Sequence, residues 1–303
     1  MPVASPYSLR FLDQKILREI HSLELIARLL VEGMYASRHR SPFYGYSVEF
    51  KDYREYTPGD DPRLVDWKMF GRTERFYVRR FEMESNMNVV ALLDASGSMA
   101  YSPLRPSRLA KLDYGRYLVA SLAYLASKQQ DAPGLVVFDQ DLRCFMPPRQ
   151  GQRHLFSLLA QLETIKGEGR TDLVRALRNT ALRLRRRSLL VLVSDCYGNE
   201  AEVVEAIKLL SARGHDLAVF HLLDEDEVEF PFQALASFRD VETGDETMCD
   251  PLRQQREYLD RFAAFRSAIR AGCLSAAADY VFLHTGMPIE AALREYLLCR
   301  RRG

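Results

Sequence analysis

A short run near residue 90 constrains this chain more than any other feature. Asn88-Val89-Val90-Ala91-Leu92-Leu93 is almost wholly apolar and ends in Asp94-Ala95-Ser96-Gly97-Ser98-Met99. A Val- and Leu-rich run bounded by a turn reads as a strand buried on both faces, the kind found in mostly parallel sheets. It delivers a carboxylate and two hydroxyls to the strand's carboxyl end, the edge at which open α/β sheets bind ligands. Asp94, Ser96 and Ser98 alternate, so one turn aims three oxygens at one point. That donor set suits a hard divalent cation, chiefly Mg²⁺, with Mn²⁺ and Ca²⁺ as alternatives.

The pattern after residue 88 alternates strand and helix. Strands are expected at 88–94, 134–138, 142–146, 189–193, 217–222 and 280–283, with helices at 107–129, 151–164, 172–186, 199–213, 251–274 and 288–301. Asp139-Gln140-Asp141 separates two apolar runs so closely that a hairpin is expected, with one antiparallel strand at the sheet's edge. The fold class is therefore α/β, a mostly parallel sheet with helices on both faces. The stretch from 224 to 250 reads as looser, and no internal repeat is present.

The first 87 residues differ. Leu12, Ile16, Ile20, Leu23, Ile26, Ala27 and Leu30 recur at helical spacing and predict an amphipathic lead-in helix from Leu9 to about Met34. Tyr44 to Tyr56 and Phe76 to Phe81 are rich in β formers, which predicts a small β-rich subdomain. Between them Thr57-Pro58-Gly59-Asp60 reads as a turn, and Asp61-Pro62 opens a short helix closed by Gly71. Trp67, the only tryptophan, is expected to pack between subdomain and main domain. The expected division is 1–87, helix and subdomain, and 88–303, the α/β domain.

With 303 residues, 47% of them hydrophobic, the chain is long enough for a substantial core. A net charge of +1 gives no global case for nucleic acid or an anionic membrane. No run approaches the length of a transmembrane helix, and Met1 to Tyr7 lacks the layout of a signal peptide, so a cytoplasmic location is expected. Five scattered cysteines without a C-x-x-C pair read as reduced thiols rather than a disulfide framework or zinc site.

Two further segments reach the same sheet edge. Gly169-Arg170-Thr171-Asp172-Leu173 precedes a helix, and Ser194-Asp195 ends the strand after it. Asp94, Ser96, Ser98, Thr171 and Asp195 thus form a candidate site with two carboxylates and three hydroxyls. The D-x-S-x-S turn, a Thr with Gly169, Ala176 and Leu177 around it, and the later Ser-Asp together resemble the metal-ion-dependent adhesion site of von Willebrand factor A domains. All five motif positions are filled.

Outside that core, Arg54-Glu55-Tyr56-Thr57-Pro58-Gly59-Asp60-Asp61, Asp66-Trp67-Lys68, Gly71-Arg72-Thr73, Gly214-His215-Asp216 and Glu229-Phe230-Pro231-Phe232 resemble the bacterial domain of unknown function 58 (DUF58) family. The likeness covers nearly the whole chain. It implies a von Willebrand A-like, Rossmann-like fold and pairing with a MoxR-type AAA+ ATPase in chaperone-like maturation or assembly of proteins. It also implies that the hydroxyls of Ser96, Ser98 and Thr171 and the carboxylates of Asp94 and Asp195 hold the ion. The remaining position is left for an acidic residue of a partner or client.

Blander readings apply to each feature. Asp94, Ser96 and Ser98 suit a capped turn, Thr171 an N-cap, and Asp195 an N-cap of the next helix. A phosphatase-like hydrolase with Asp94 as nucleophile needs a second Asp two residues on, where Ser96 stands, and a purely structural scaffold is the third class. Six scattered histidines form no H-E-x-x-H or Ser-His-Asp pattern, and no Walker loop is present, so no enzyme activity is expected. Arg175, Arg178, Arg183, Arg185, Arg186 and Arg187 read as cations near a helix C-terminus. Asp224 to Glu229 reads as a solvated acidic turn, and Cys196 as an inert thiol.

Overall fold

The computed structural model describes residues 17, 20, 22–36, 48–57, 65–83, 87–105, 108–232, 236–239 and 246–299. The chain divides into two compact units, Arg40–Asn86 and the remainder. Helix α1 (Leu23–Ala36) belongs to the larger one. Its Leu23, Ile26, Ala27, Leu30, Val31 and Met34, at helical spacing, are buried in the larger unit's core beside Leu118 and Leu122. The sequence shows that this helix has an apolar face but not what covers it. Grouping it with the β-rich segment is therefore corrected.

The smaller unit is an antiparallel pair, β1 (Val48–Glu55) and β2 (Tyr77–Met83), with helix α2 (Trp67–Thr73) between them. Asp66 is the N-cap, its carboxylate accepting from the Lys68 and Met69 amides at 2.9 and 3.2 Å. The expected cap at Asp61-Pro62 lies outside the described residues. Gly71 sits inside the helix, and Glu74, in the left-handed region at φ 54°, ends it. Within its own unit Trp67 is largely exposed. It lies edge-on to Phe70 and Phe76, which stack with centroids 4.4 Å apart.

The larger unit continues through β3 (Asn88–Asp94), α3 (Lys111–Lys128), β4 (Ala132–Phe138), β5 (Leu142–Met146), α4 (Gln152–Thr164), α5 (Leu173–Arg183) and β6 (Leu189–Ser194). It then runs through α6 (Glu200–Ala212), β7 (Asp216–Leu223), α7 (Glu225–Glu229), β8 (Ala236–Arg239), β9 (Glu246–Cys249), α8 (Pro251–Ser275), β10 (Asp279–His284) and α9 (Ile289–Cys299). Six strands form one sheet in the order β10-β7-β6-β3-β4-β5, parallel except for the antiparallel edge strand β5. β8 and β9 form a separate hairpin.

Strand parity builds the core. Val89, Ala91 and Leu93 point into one apolar cluster with α1, α3, α4 and α9, whereas Val90 and Leu92 point into the other with α5, α6 and α8. Each fully buried Val or Leu contributes about 1.5–3 kcal/mol. Gly115 lets α3 lie close to the sheet, since a Cβ there would meet Leu93 Cδ1 at 3.0 Å. β3 lies at the centre of the sheet, so the turn after it opens at the middle of the carboxyl edge.

Candidate functional site

The register places the ends of β3 and β6 side by side, with Leu93 opposite Val193. Asp94 and Asp195 lie one residue and two residues beyond that pair, both fully buried. The Ser96 amide donates to Asp94 Oδ1 at 3.0 Å, and the Ser194 hydroxyl donates to Oδ2 at 2.6 Å. Ser96 Oγ and Ser98 Oγ are 3.0 Å apart. One turn therefore does gather the three side chains read from the D-x-S-x-S spacing.

Two backbone bonds attach the Thr171 segment to that turn. The Glu168 amide donates to the Ala95 carbonyl at 3.0 Å, and the Gly97 amide to the Gly169 carbonyl at 2.8 Å. Gly167 permits the approach, because a Cβ there would lie 2.8 Å from the Ala100 Cβ and 3.1 Å from the Ser96 carbonyl oxygen. Thr171, half-buried, follows two residues after Gly169. The N-cap of α5 is Asp172 and that of α6 is Asn199, so neither Thr171 nor Asp195 serves its following helix in that way. The N-cap reading of both residues is thereby corrected.

Asp195 is held by groups that the sequence did not point to. Lys111, the first residue of α3 and fully buried, places Nζ 3.0 Å from Asp195 Oδ2 and 2.9 Å from Glu227 Oε1. The Tyr197 amide donates to Asp195 Oδ1 at 3.3 Å. Cys196, between them, takes the left-handed region at φ 56° and donates its amide to Ser194 Oγ at 2.9 Å. Its thiol is pushed well above the usual value, chiefly by burial, which keeps it protonated and inert.

The electrostatics of the two carboxylates differ. Burial, then the neighbouring Asp195, raises the Asp94 carboxyl well above the usual range against the opposing hydrogen bonds from Ser194 and Ser96. Among the described residues no basic side chain is paired with Asp94. For Lys111, burial disfavours the charge, but Asp195 and Glu227 outweigh it and raise the ammonium's pKa. Among the described residues no group of three or more His, Cys, Asp or Glu side chains is arranged to hold a metal ion. The candidate set offers two carboxylates, and its further donors are hydroxyls.

The acidic run is not a solvated turn. Asp224 caps α7 through a capping box, and both it and Asp226 are buried. Asp226 Oδ2 accepts from the Leu104 amide at 2.7 Å and from the Tyr101 hydroxyl at 3.3 Å, while Arg108 bridges Asp226 and Glu225. These contacts tie the segment between the D-x-S-x-S turn and α3 to the end of β7. The arginines, by contrast, disperse: Arg175 pairs with Asp141, Arg187 with Asp216, and Arg183 lies over the Phe145 ring. A cavity of about 480 Å³ opens at the opposite, amino-terminal edge of the sheet, and none of the five candidate residues lines it.

The family model described as protein of unknown function DUF58 matches residues 52–269. This chain belongs to the DUF58 family. Uncharacterized proteins of Mycobacterium tuberculosis (strain H37Rv) and Mycobacterium bovis are each 25% identical to it over 296 residues, covering 96% of this chain and 92% of theirs. Among solved structures, an aerotolerance-related membrane protein of Bacteroides fragilis matches at a TM-score of 0.51 and 18% identity, covering 70% of this chain and 97% of that one. BatB of Bacteroides thetaiotaomicron matches at 0.50 and 17%, covering 72% and 100%.

This DUF58 chain shares the fold of these two structures, and its mostly parallel sheet with helices on both faces is the architecture that its motif resemblance implied. Among its described residues no helix is long and apolar enough to cross a membrane.

Proposed function

We propose that this DUF58 protein is a metal-dependent protein-recognition module. Asp94, Ser96, Ser98, Thr171 and Asp195 would hold Mg²⁺, or Mn²⁺ or Ca²⁺ in its place, and an acidic residue of the partner would complete the coordination. The observation that carries this reading is Asp94: a fully buried carboxyl beside a second carboxylate, with no basic partner among the described residues. A buried carboxylate in that position calls for a cation, and the surrounding hydroxyls are donors that hard divalent ions accept. The bound ion would supply residual positive charge for an incoming Glu or Asp.

The chain's own residues account for the rest of the design. The Ser194 hydroxyl and the Ser96 amide fix the Asp94 carboxylate, and the Gly97–Gly169 bond keeps the two hydroxyl-bearing segments together. On this reading the protein does no chemistry of its own. Its partner, by family resemblance, is a MoxR-type AAA+ ATPase, the pair acting in the cytoplasm in chaperone-like maturation or assembly of other proteins.

The test compares wild type with Asp94→Asn. Mg²⁺ is expected to raise the melting temperature of wild type and leave that of the variant unchanged. A MoxR-type ATPase from the same organism is expected to co-purify with wild type in Mg²⁺, and to be lost in EDTA and with the variant. Equal responses from two folded proteins would sink the reading.

A further inference from the structure

Lys111 stands where a lysine is least expected. It opens an 18-residue helix, whose amino end already carries partial positive charge, and its side chain is fully buried. Its ammonium is compensated by two carboxylates, Asp195 at 3.0 Å and Glu227 at 2.9 Å. Glu227 is fixed in turn, its Oε2 accepting from the Asp224 amide at 2.6 Å. One of the two carboxylates proposed for the metal is therefore already engaged by a cation of the protein itself.

Resting on that reading of the site, we infer that Lys111 is a built-in counter-ion that keeps the site's affinity for a divalent cation low until a partner carboxylate is supplied. The argument is one of charge. Oxygen sites tune their affinity for hard cations by the number of anionic ligands. Asp94 contributes one, with no competing cation among the described residues, whereas Asp195 divides its charge between the site and Lys111. A partner's Glu or Asp would restore the missing negative charge. Metal and partner then bind together, and by linkage each strengthens the other by the same factor.

A purely structural role, in which Lys111 only props α7 through Glu227, predicts the opposite sign. Loss of a prop loosens the site and weakens metal binding, whereas loss of a counter-ion frees Asp195 and tightens it.

The experiment is Mn²⁺ titration of the full chain without partner, followed by the electron paramagnetic resonance of free Mn²⁺. The key variant is Lys111→Met combined with Glu227→Gln, which removes one charge of each sign and leaves Asp195 available; circular dichroism establishes that it is folded. The double variant is expected to bind Mn²⁺ on the order of tenfold or more tightly than wild type. Adding Asp94→Ala should abolish that binding. Equal or weaker binding by the double variant overturns the inference while leaving the metal reading standing if wild type itself binds. Absence of binding by both overturns the two together. Glu227→Gln alone is the second check: it leaves Lys111 wholly to Asp195 and should weaken Mn²⁺ binding below wild type, and a gain there also counts against the inference.

Discussion

The two ends of the same parallel sheet treat charge in opposite ways. At the carboxyl edge, Asp94, Asp195 and Lys111 are fully buried and Glu227 is half-buried. At the amino edge, the solvent-facing Arg187–Asp216 pair lines a cavity together with Leu189 and Leu217. An exposed ion pair costs little to maintain and contributes little. Buried charges carry a large desolvation penalty, so a fold that keeps several at one edge gives up stability that apolar residues would have supplied. The difference identifies the carboxyl edge as the place where this fold departs from what packing alone favours.

The strongest way to break that comparison is to remove one member of the buried network. Lys111→Met leaves Asp195 and Glu227 facing each other without a cation, and is expected to cost about 3–5 kcal/mol in urea unfolding. Adding Glu227→Gln should recover part of that loss, because the two changes are coupled through one contact. Strict additivity of the two would mean that the bond is not the source of the cost.

A buried histidine beside this edge gives the next largest effect. Burial lowers the His221 imidazole to about 4, and its Nδ1 lies 2.9 Å from the Tyr280 hydroxyl among the rings of Phe265 and Phe282. Its folded value is below its unfolded one, so its contribution is present above pH 6.5 and is lost as pH falls toward 4. Between pH 7 and 4.5 this group alone accounts for about 2–3 kcal/mol of lost stability. His221→Gln should show a correspondingly smaller drop over that interval. A variant that falls as steeply as wild type would assign the acid sensitivity to other groups.

The same contrast explains what was legible in the sequence. Asp94, Ser96, Ser98 and Asp195 were readable because they sit at the ends of apolar runs whose burial is a local property, and the strands of the six-stranded sheet and helices α3 to α6, α8 and α9 lie within a few residues of their expected bounds, whereas α7 and the β8–β9 hairpin fall in the stretch expected to be looser. Thr171 was readable through its glycine context, which the Gly97–Gly169 bond explains. Lys111 and Glu227 were not, because a lysine in a helical pattern and a glutamate in an acidic turn after a strand both look solvated. Only the tertiary meeting of α3 with the end of β7 makes them a pair. Asp224 and Asp226 escaped for the same reason, their partners Thr285 and Leu104 being distant in sequence. Helix α1 declared its apolar face but not its neighbour.

The smallest expected effect belongs to the amino edge, and it sets the baseline for the rest. Arg187 forms two hydrogen bonds to Asp216, from Nε at 3.1 Å and from Nη2 at 2.9 Å, a bidentate geometry that is the strongest such a pair can adopt. Its side chain is nevertheless 67% exposed, so water and salt screen the attraction and the flexible stem loses entropy in being held. Arg187→Ala should therefore shift the urea midpoint far less than Lys111→Met does, and less again in high salt. The same kind of contact, Lys with Asp at 3.0 Å, is expected to matter several-fold more at the other end of the sheet solely because it is buried. A loss at Arg187 as large as that at Lys111 would mean that burial is not what separates the two edges, and the case for a specialised carboxyl edge would then rest on the oxygen donors alone.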